Sequence, residues 1–220
     1  MSQTSISRPL VIFDLDGTLY PTESSFLPVM HRVYAEFGLP IPPDSEILAL
    51  VGDTYDNVLK RLIAQGFETT LPVLKEMISR YEFEFLREGG SLYEGVDATL
   101  LALRQRGFRT AICTNGDRPY VHAVLGESRM TQLFDAISTH GDAGETKTSM
   151  IASLIKRFEP RYTVVVGDRS HDVEAGRNNG CTVVGAAYGF GGEEELEQAD
   201  VLITAFDQLL DVIGEMTPVP

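Results

Sequence analysis

The feature that most constrains this chain is a short apolar run that recurs and stops abruptly at polar residues. Leu10 to Phe13 is entirely apolar and rich in β-branched and aromatic side chains, and it ends at Asp14-Leu15-Asp16-Gly17. Such a run bounded by a turn signal reads as a buried strand. Comparable runs follow at Phe108 to Thr114, Ala136 to Thr139, Thr163 to Gly167 and Thr182 to Val184. Helical patterns separate them: Val96, Leu100 and Leu103 on one, Met150, Ile151, Leu154 and Ile155 on another, and a terminal one around Leu209. Strands alternating with helices imply an α/β fold, a Rossmann-like parallel sheet with both faces covered.

One stretch breaks the alternation. From about Thr22 to Glu88 the apolar period is helical throughout. Phe26, Val29, Met30, Val33 and Phe37 share a face, as do Val58, Leu59, Leu62 and Ile63, and Leu74, Met77, Ile78, Tyr81 and Phe85. Pro40, Pro42 and Pro43 punctuate the first gap, and Asp44 is a candidate N-cap. The pattern predicts an inserted bundle of about four helices, bracketed by Leu19-Tyr20-Pro21 and Gly89-Gly90-Ser91 as candidate hinges or plain connections. The expected division is a core of 1–19 and 91–220 with an insert of 20–90.

Composition narrows the classes of partner. A formal net charge of -14 opposes nucleic acid and anionic membrane surfaces, while making a bound cation attractive at any anion site. Hydrophobic residues at 43% and charged residues at 23% suit a folded globular protein. Met1 to Pro9 is polar and lacks the apolar centre of a signal peptide, and no run reaches membrane-spanning length, so the cytosol is expected. Cys113 and Cys181 lie in apolar stretches and read as reduced core thiols. Nothing in the sequence sets an oligomeric state.

In a parallel α/β sheet, ligands sit at the carboxyl ends of the strands. Four polar signals fall there or just before: Asp14-Leu15-Asp16-Gly17-Thr18; Thr114-Asn115-Gly116; Lys147, opening the Met150 helix; and Gly167-Asp168-Arg169 through Asp172. In this order they resemble the motif series of the haloacid dehalogenase superfamily, over residues 8 to 19 and 91 to 214, with the insert where that superfamily carries a helical cap. Gly167-Asp168-Arg169 with Asp172, Gly180 and Tyr188-Gly189-Phe190-Gly191 more narrowly resembles bacterial phosphoglycolate phosphatases and their relatives.

The resemblance implies a phosphatase acting on a small phosphorylated metabolite, with phosphoglycolate favoured and pyrophosphate or a nucleotide as alternatives. It implies Asp14 as nucleophile, forming an aspartyl-phosphate, and Asp16 as general acid and base. Dehalogenating relatives lack that second carboxylate. It further implies Mg2+ held by Asp14, Asp168, the Asp16 backbone carbonyl and, through water, Asp172. Thr114 and Asn115 would donate to the phosphoryl group, and Lys147 would neutralise it together with the nucleophile. The family's lysine is often followed by proline, whereas here Thr148 follows. Arg169, His171 and Arg177 read as surface or supporting residues. The loop Gly52 to Asn57, placed like the cap's specificity segment, carries acids and no Arg or Lys, which disfavours a phosphomutase. A catalytically silent binding protein should have lost a carboxylate from the series, and none is missing.

Overall fold

The computed structural model describes residues 7–87, 90–126, 130–140 and 146–216. Six strands form one parallel sheet: β1 (Leu10–Phe13), β2 (Arg109–Thr114), β3 (Ala136–Thr139), β4 (Thr163–Gly167), β5 (Thr182–Ala186) and β6 (Val201–Ile203). Their spatial order is β3-β2-β1-β4-β5-β6. The chain therefore leaves β1 toward one edge and returns on its other side, so the strand order reverses beside β1. That reversal opens a crevice at the carboxyl ends of β1, β2 and β4.

Alternate residues of β1 enter different cores. Val11 and Phe13 join one buried cluster with Ile112, Val164 and Val166, whereas Leu10 and Ile12 join another with Ala111, Cys113 and Val165. A strand buried on both faces needs a continuous apolar run, which explains why these segments do not alternate in polarity. Cys113 is buried and Cys181 half-buried, and neither is in a disulfide. The short edge strand β6 was not expected from the sequence. Three residues are too few to show a period, and Val201 and Leu202 are exposed.

The insert holds four helices: α1 (Glu23–Glu36), α2 (Asp44–Leu48), α3 (Tyr55–Ala64) and α4 (Leu71–Phe85). They enclose a separate core that includes Met30, Val33, Leu59, Leu62, Leu74 and Ile78. Two sequence expectations need correction here. Pro43 is the N-cap of α2, and Asp44 is its first residue, with its carboxylate turned to His31 Nε2 at 2.8 Å. Phe85 is 51% exposed while Glu82 is 5% exposed, so the apolar period of α4 runs one turn beyond its packed face and hides a buried acid within it.

The remaining helices cover the sheet: α5 (Val96–Gln105), α6 (Arg118–Leu125), α7 (Lys147–Phe158), α8 (Ser170–Asn178), α9 (Glu193–Leu196) and α10 (Leu209–Met216). The two chain crossings between insert and sheet pack together. Tyr20 and Leu86 belong to the sheet-side core, and a Cβ on Gly90 would lie 2.5 Å from the Tyr20 ring. Glu88 and Gly89 of the expected return lie outside the described residues. No helix among the described residues is long and apolar enough to cross a membrane.

Because the insert has its own core, truncation there should cost as much as truncation in any interior. Leu62→Ala should lower the unfolding free energy by about 2–5 kcal/mol in urea titration. A loss below about 1 kcal/mol would show that the four helices do not pack as described.

Candidate active site

The end of β1 is fixed from both sides. The Asp14 amide donates to the Val166 carbonyl at 2.9 Å, and the next residues close a tight turn in which the Leu19 and Tyr20 amides both reach Leu15 O at 2.9 Å. Gly17 sits in that turn at φ +77, and a Cβ there would lie 2.2 Å from Asp168 Oδ2. The spacing of Asp14, Asp16 and Gly17 thus satisfies the turn and leaves room for the carboxylate arriving from β4.

Lys147 is the first residue of α7, and Thr146 caps that helix through a reciprocal box with Ser149. This box fixes the helix start without the proline that often follows the family lysine. Lys147 is 7% exposed. Its Nζ donates to Asp14 Oδ1 at 2.8 Å and to Asp172 Oδ1 at 2.6 Å. The other Asp172 oxygen accepts the Arg169 amide at 3.1 Å at the start of α8. Asp168 accepts Thr18 Oγ1 at 3.1 Å and the Phe190 amide at 2.8 Å. The Tyr188 to Gly191 segment, legible only as a family likeness, is therefore the wall behind Asp168. A Cβ on Gly189 would stand 2.3 Å from Asp168 Cβ.

Charge does not balance in this interior. Among the described residues, the buried charged side chains are Asp14, Asp16, Glu82, Asp168, Asp172 and Lys147. Burial pushes Asp14 well above the usual carboxylate range, with Lys147 opposing the rise and Asp172, Asp168 and Asp16 adding to it. Burial and the Asp172 charge push Asp168 up to about 7. Burial alone would lower the Lys147 amine, but Asp14 and Asp172 outweigh it and hold the group firmly protonated. Oxygens of Asp14, Asp168 and Asp172 all lie within 4.8 Å of one another. Three hard oxygen donors with one shared ammonium suit a small divalent cation.

The Asp16 carboxyl points away from that trio. Its Oδ1 accepts Tyr120 OH at 2.6 Å and Thr22 Oγ1 at 2.7 Å, and burial raises its pKa despite both bonds. Asp14 and Asp16 open onto a cleft of about 590 Å³ between sheet and insert, also lined by Thr114, Asn115, Tyr55 and Glu82. Thr114 Oγ1 accepts the Gly116 amide at 3.0 Å. Asn115 Nδ2 donates across the cleft to Gly52 O at 2.9 Å. All seven residues singled out in the sequence, Asp14, Asp16, Thr114, Asn115, Lys147, Asp168 and Asp172, thus meet at one end of the sheet.

Two residues were missed, and a third stood open between two roles. Tyr120 lies one turn into α6, whose start is marked by the Asp117 cap and Pro119, a signal available in the sequence. Glu82 was hidden among apolar neighbours, and burial pushes its carboxyl up to about 8, with Asp16 and Asp117 adding to the shift and Tyr55 opposing it. Arg169, read as a surface or supporting residue, takes the supporting role in the structure. It donates to Val51 O of the insert at 2.6 Å and to Glu195 at 2.9 Å, tying the two bodies together.

Because Asp168 holds its proton more tightly folded than unfolded, its contribution to stability is present below 3.8 and lost as pH rises through about 7. A divalent cation should offset that loss. Mg2+ should raise the melting temperature more at about pH 8 than at about pH 5. An equal rise at both values would contradict cation binding at these carboxylates.

Comparison with known proteins agrees with this arrangement. The family model for haloacid dehalogenase-like hydrolases matches residues 11–186. Tyrosine-protein kinase PtkA of Mycobacterium tuberculosis is 28% identical over 217 residues, covering 95% of this chain and 72% of that protein. Phosphoglycolate phosphatase of Haemophilus influenzae is 29% identical over 218 residues, covering 93% of this chain and 97% of that protein. A predicted phosphoglycolate phosphatase from Haemophilus somnus shares the fold with a TM-score of 0.85 at 23% identity, over 94% of this chain and 98% of that one. With a parallel sheet in this order, a helical cap and the matched span enclosing Asp14 to Asp172, the chain belongs to the haloacid dehalogenase-like hydrolase family.

Proposed function

We propose that this chain is a magnesium-dependent phosphatase that hydrolyses a small phosphate monoester through an aspartyl-phosphate on Asp14. The observation that carries the reading is the pairing of two unlike carboxyls at the end of β1. Asp14 is bound by the Lys147 ammonium at 2.8 Å, whereas Asp16 is held by the neutral donors Tyr120 and Thr22. One group, Asp14, faces an ammonium that favours its anion against the effect of burial, and so suits attack on phosphorus. The other, buried and raised in pKa, suits carrying a proton.

In the first step an Asp14 oxygen bonds to phosphorus, the ester P–O bond breaks, and Asp16 protonates the departing alkoxide. In the second, Asp16 takes a proton from water as that oxygen attacks phosphorus and Asp14 is released. Lys147 stays charged and offsets the phosphoryl group. Thr114 and Asn115 would donate to the phosphoryl oxygens, Asn115 giving up its bond to Gly52 O to do so. Asp14, Asp168 and Asp172, with the Asp16 carbonyl, would hold Mg2+, which supplies positive charge where two anions must approach.

We assign residues 20–90 to the cap and 1–19 with 91–220 to the catalytic core. The cap covers the cleft and limits the substrate to a small metabolite. The names of the relatives make phosphoglycolate the first ester to assay. A phosphomutase is disfavoured because no Lys, Arg or His stands among the described residues lining the cleft to hold a second phosphate.

Asp14→Asn should lower turnover of an aryl phosphate on the order of a thousandfold or more, with circular dichroism unchanged. Asp16→Asn should cost an alkyl phosphate more than an aryl phosphate, because a phenolate leaves without a proton. Steady-state kinetics on both esters, with and without chelator, reads these outcomes. Wild-type activity in Asp14→Asn, or full activity in chelator, would remove the nucleophile or the metal from the mechanism.

A further inference from the structure

The cleft wall contributed by the cap has a chemistry that the phosphate site does not explain. Phe26, Leu50, Val51, Val58 and Ile78 make it apolar. Set into it is Glu82, which is 5% exposed and accepts a hydrogen bond from Tyr55 OH. Two neutral tyrosines connect this acid to the chemistry: Tyr55 donates to it, and Tyr120, bonded to Asp16, feels both the Asp16 and Glu82 charges.

Among the described residues lining the cleft, none carries a positive charge to set against Glu82. The other acid of the wall, Asp53, already pairs with Arg61 at 3.2 Å and accepts Asn57 Nδ2 at 2.7 Å. The basic group that acts on the Glu82 charge is Lys75, whose amine lies 5.1 Å from the centroid of the Tyr55 ring. It is engaged by Asp117 at 3.5 Å, and its side chain is 43% exposed. A leaving group bearing a carboxylate or second phosphate would therefore bring an anion against a buried acid. Where Glu82 is ionised, at or above about pH 8, desolvating like charges together is the costliest arrangement this wall offers. A leaving group with a short apolar stem and an ammonium would bury its methylenes on the wall and give the carboxylate a charged donor, for which its oxygens have free lone pairs.

Resting on the phosphatase reading, we infer that the cap selects the phosphate ester of a small amino alcohol, and that Glu82 is the residue that receives its ammonium. Burial pushes Glu82 up to about 8 with Lys75 opposing the rise only in part, so an ammonium placed in the cleft would favour the carboxylate further. Glu82 acts on selection only. Bond-making and bond-breaking remain with Asp14 and Asp16.

O-Phosphoethanolamine and phosphoglycolate form a matched pair, each a phosphate on a two-carbon alcohol, differing in the terminal charge. Their affinities should be measured calorimetrically with Mg2+ on the full chain carrying Asp14→Asn, where turnover is blocked. O-Phosphoethanolamine should bind about tenfold or more tighter, and adding Glu82→Gln should shrink the ratio to about threefold or less. Equal affinities, or tighter phosphoglycolate, overturn the inference whether or not Glu82→Gln folds. A ratio unchanged by Glu82→Gln overturns the assignment to Glu82. Wild-type turnover of an aryl phosphate reports separately on the phosphatase reading, so a working hydrolase that favours phosphoglycolate would sink the inference alone.

Discussion

The site depends on one buried ammonium held between two carboxylates. Lys147 binds Asp14, which lies 133 residues earlier in the chain, and Asp172, which lies 25 residues later. Removing either partner of such a buried pair leaves an uncompensated charge, typically at a cost of about 3–5 kcal/mol. The sheet order makes the meeting possible. With β1 in the centre, the ends of β2 and β4 flank Asp14, and the capping box at Thr146 starts α7 where its first side chain can reach both acids.

That single cation does not neutralise its surroundings, and the excess of acid is informative. Asp168 is held by Thr18 and the Phe190 amide, neutral donors that orient a carboxylate without removing its charge. In the proposed reading positive charge would arrive from outside, as a divalent ion at the strand ends and, in the inference drawn for Glu82, as part of the substrate at the cap wall. Core and cap divide the work accordingly. In the proposed reading the core would act on the phosphate, while the cap, built on its own hydrophobic core, would distinguish one alcohol from another.

Much of this was legible in the sequence because it depends on local pattern. Strands buried on both faces, such as Leu10–Phe13 and Thr163–Gly167, announce themselves as apolar runs, and polar residues at their ends fall at the crevice by topology. What was not legible depends on tertiary placement. Glu82 looks like one acid among several on α4 until the cleft is seen beside it. Arg169 could be read only as a surface or supporting arginine because its partners, Val51 and Glu195, are 118 residues earlier and 26 residues later. The edge strand β6 carries too few residues to show a period, and the Thr148 departure loses its force only once Thr146 and Ser149 are seen to cap the helix.

The claim on which the account turns is that Asp14 itself carries the phosphoryl group. Borohydride reduces an acyl phosphate to the alcohol, converting an aspartyl-phosphate to homoserine, so quenching turnover with borohydride and sequencing the peptides by mass spectrometry locates the covalent intermediate. The account predicts homoserine at position 14, dependent on substrate and Mg2+. Homoserine at position 16, or none at any position while phosphate is released, would contradict it.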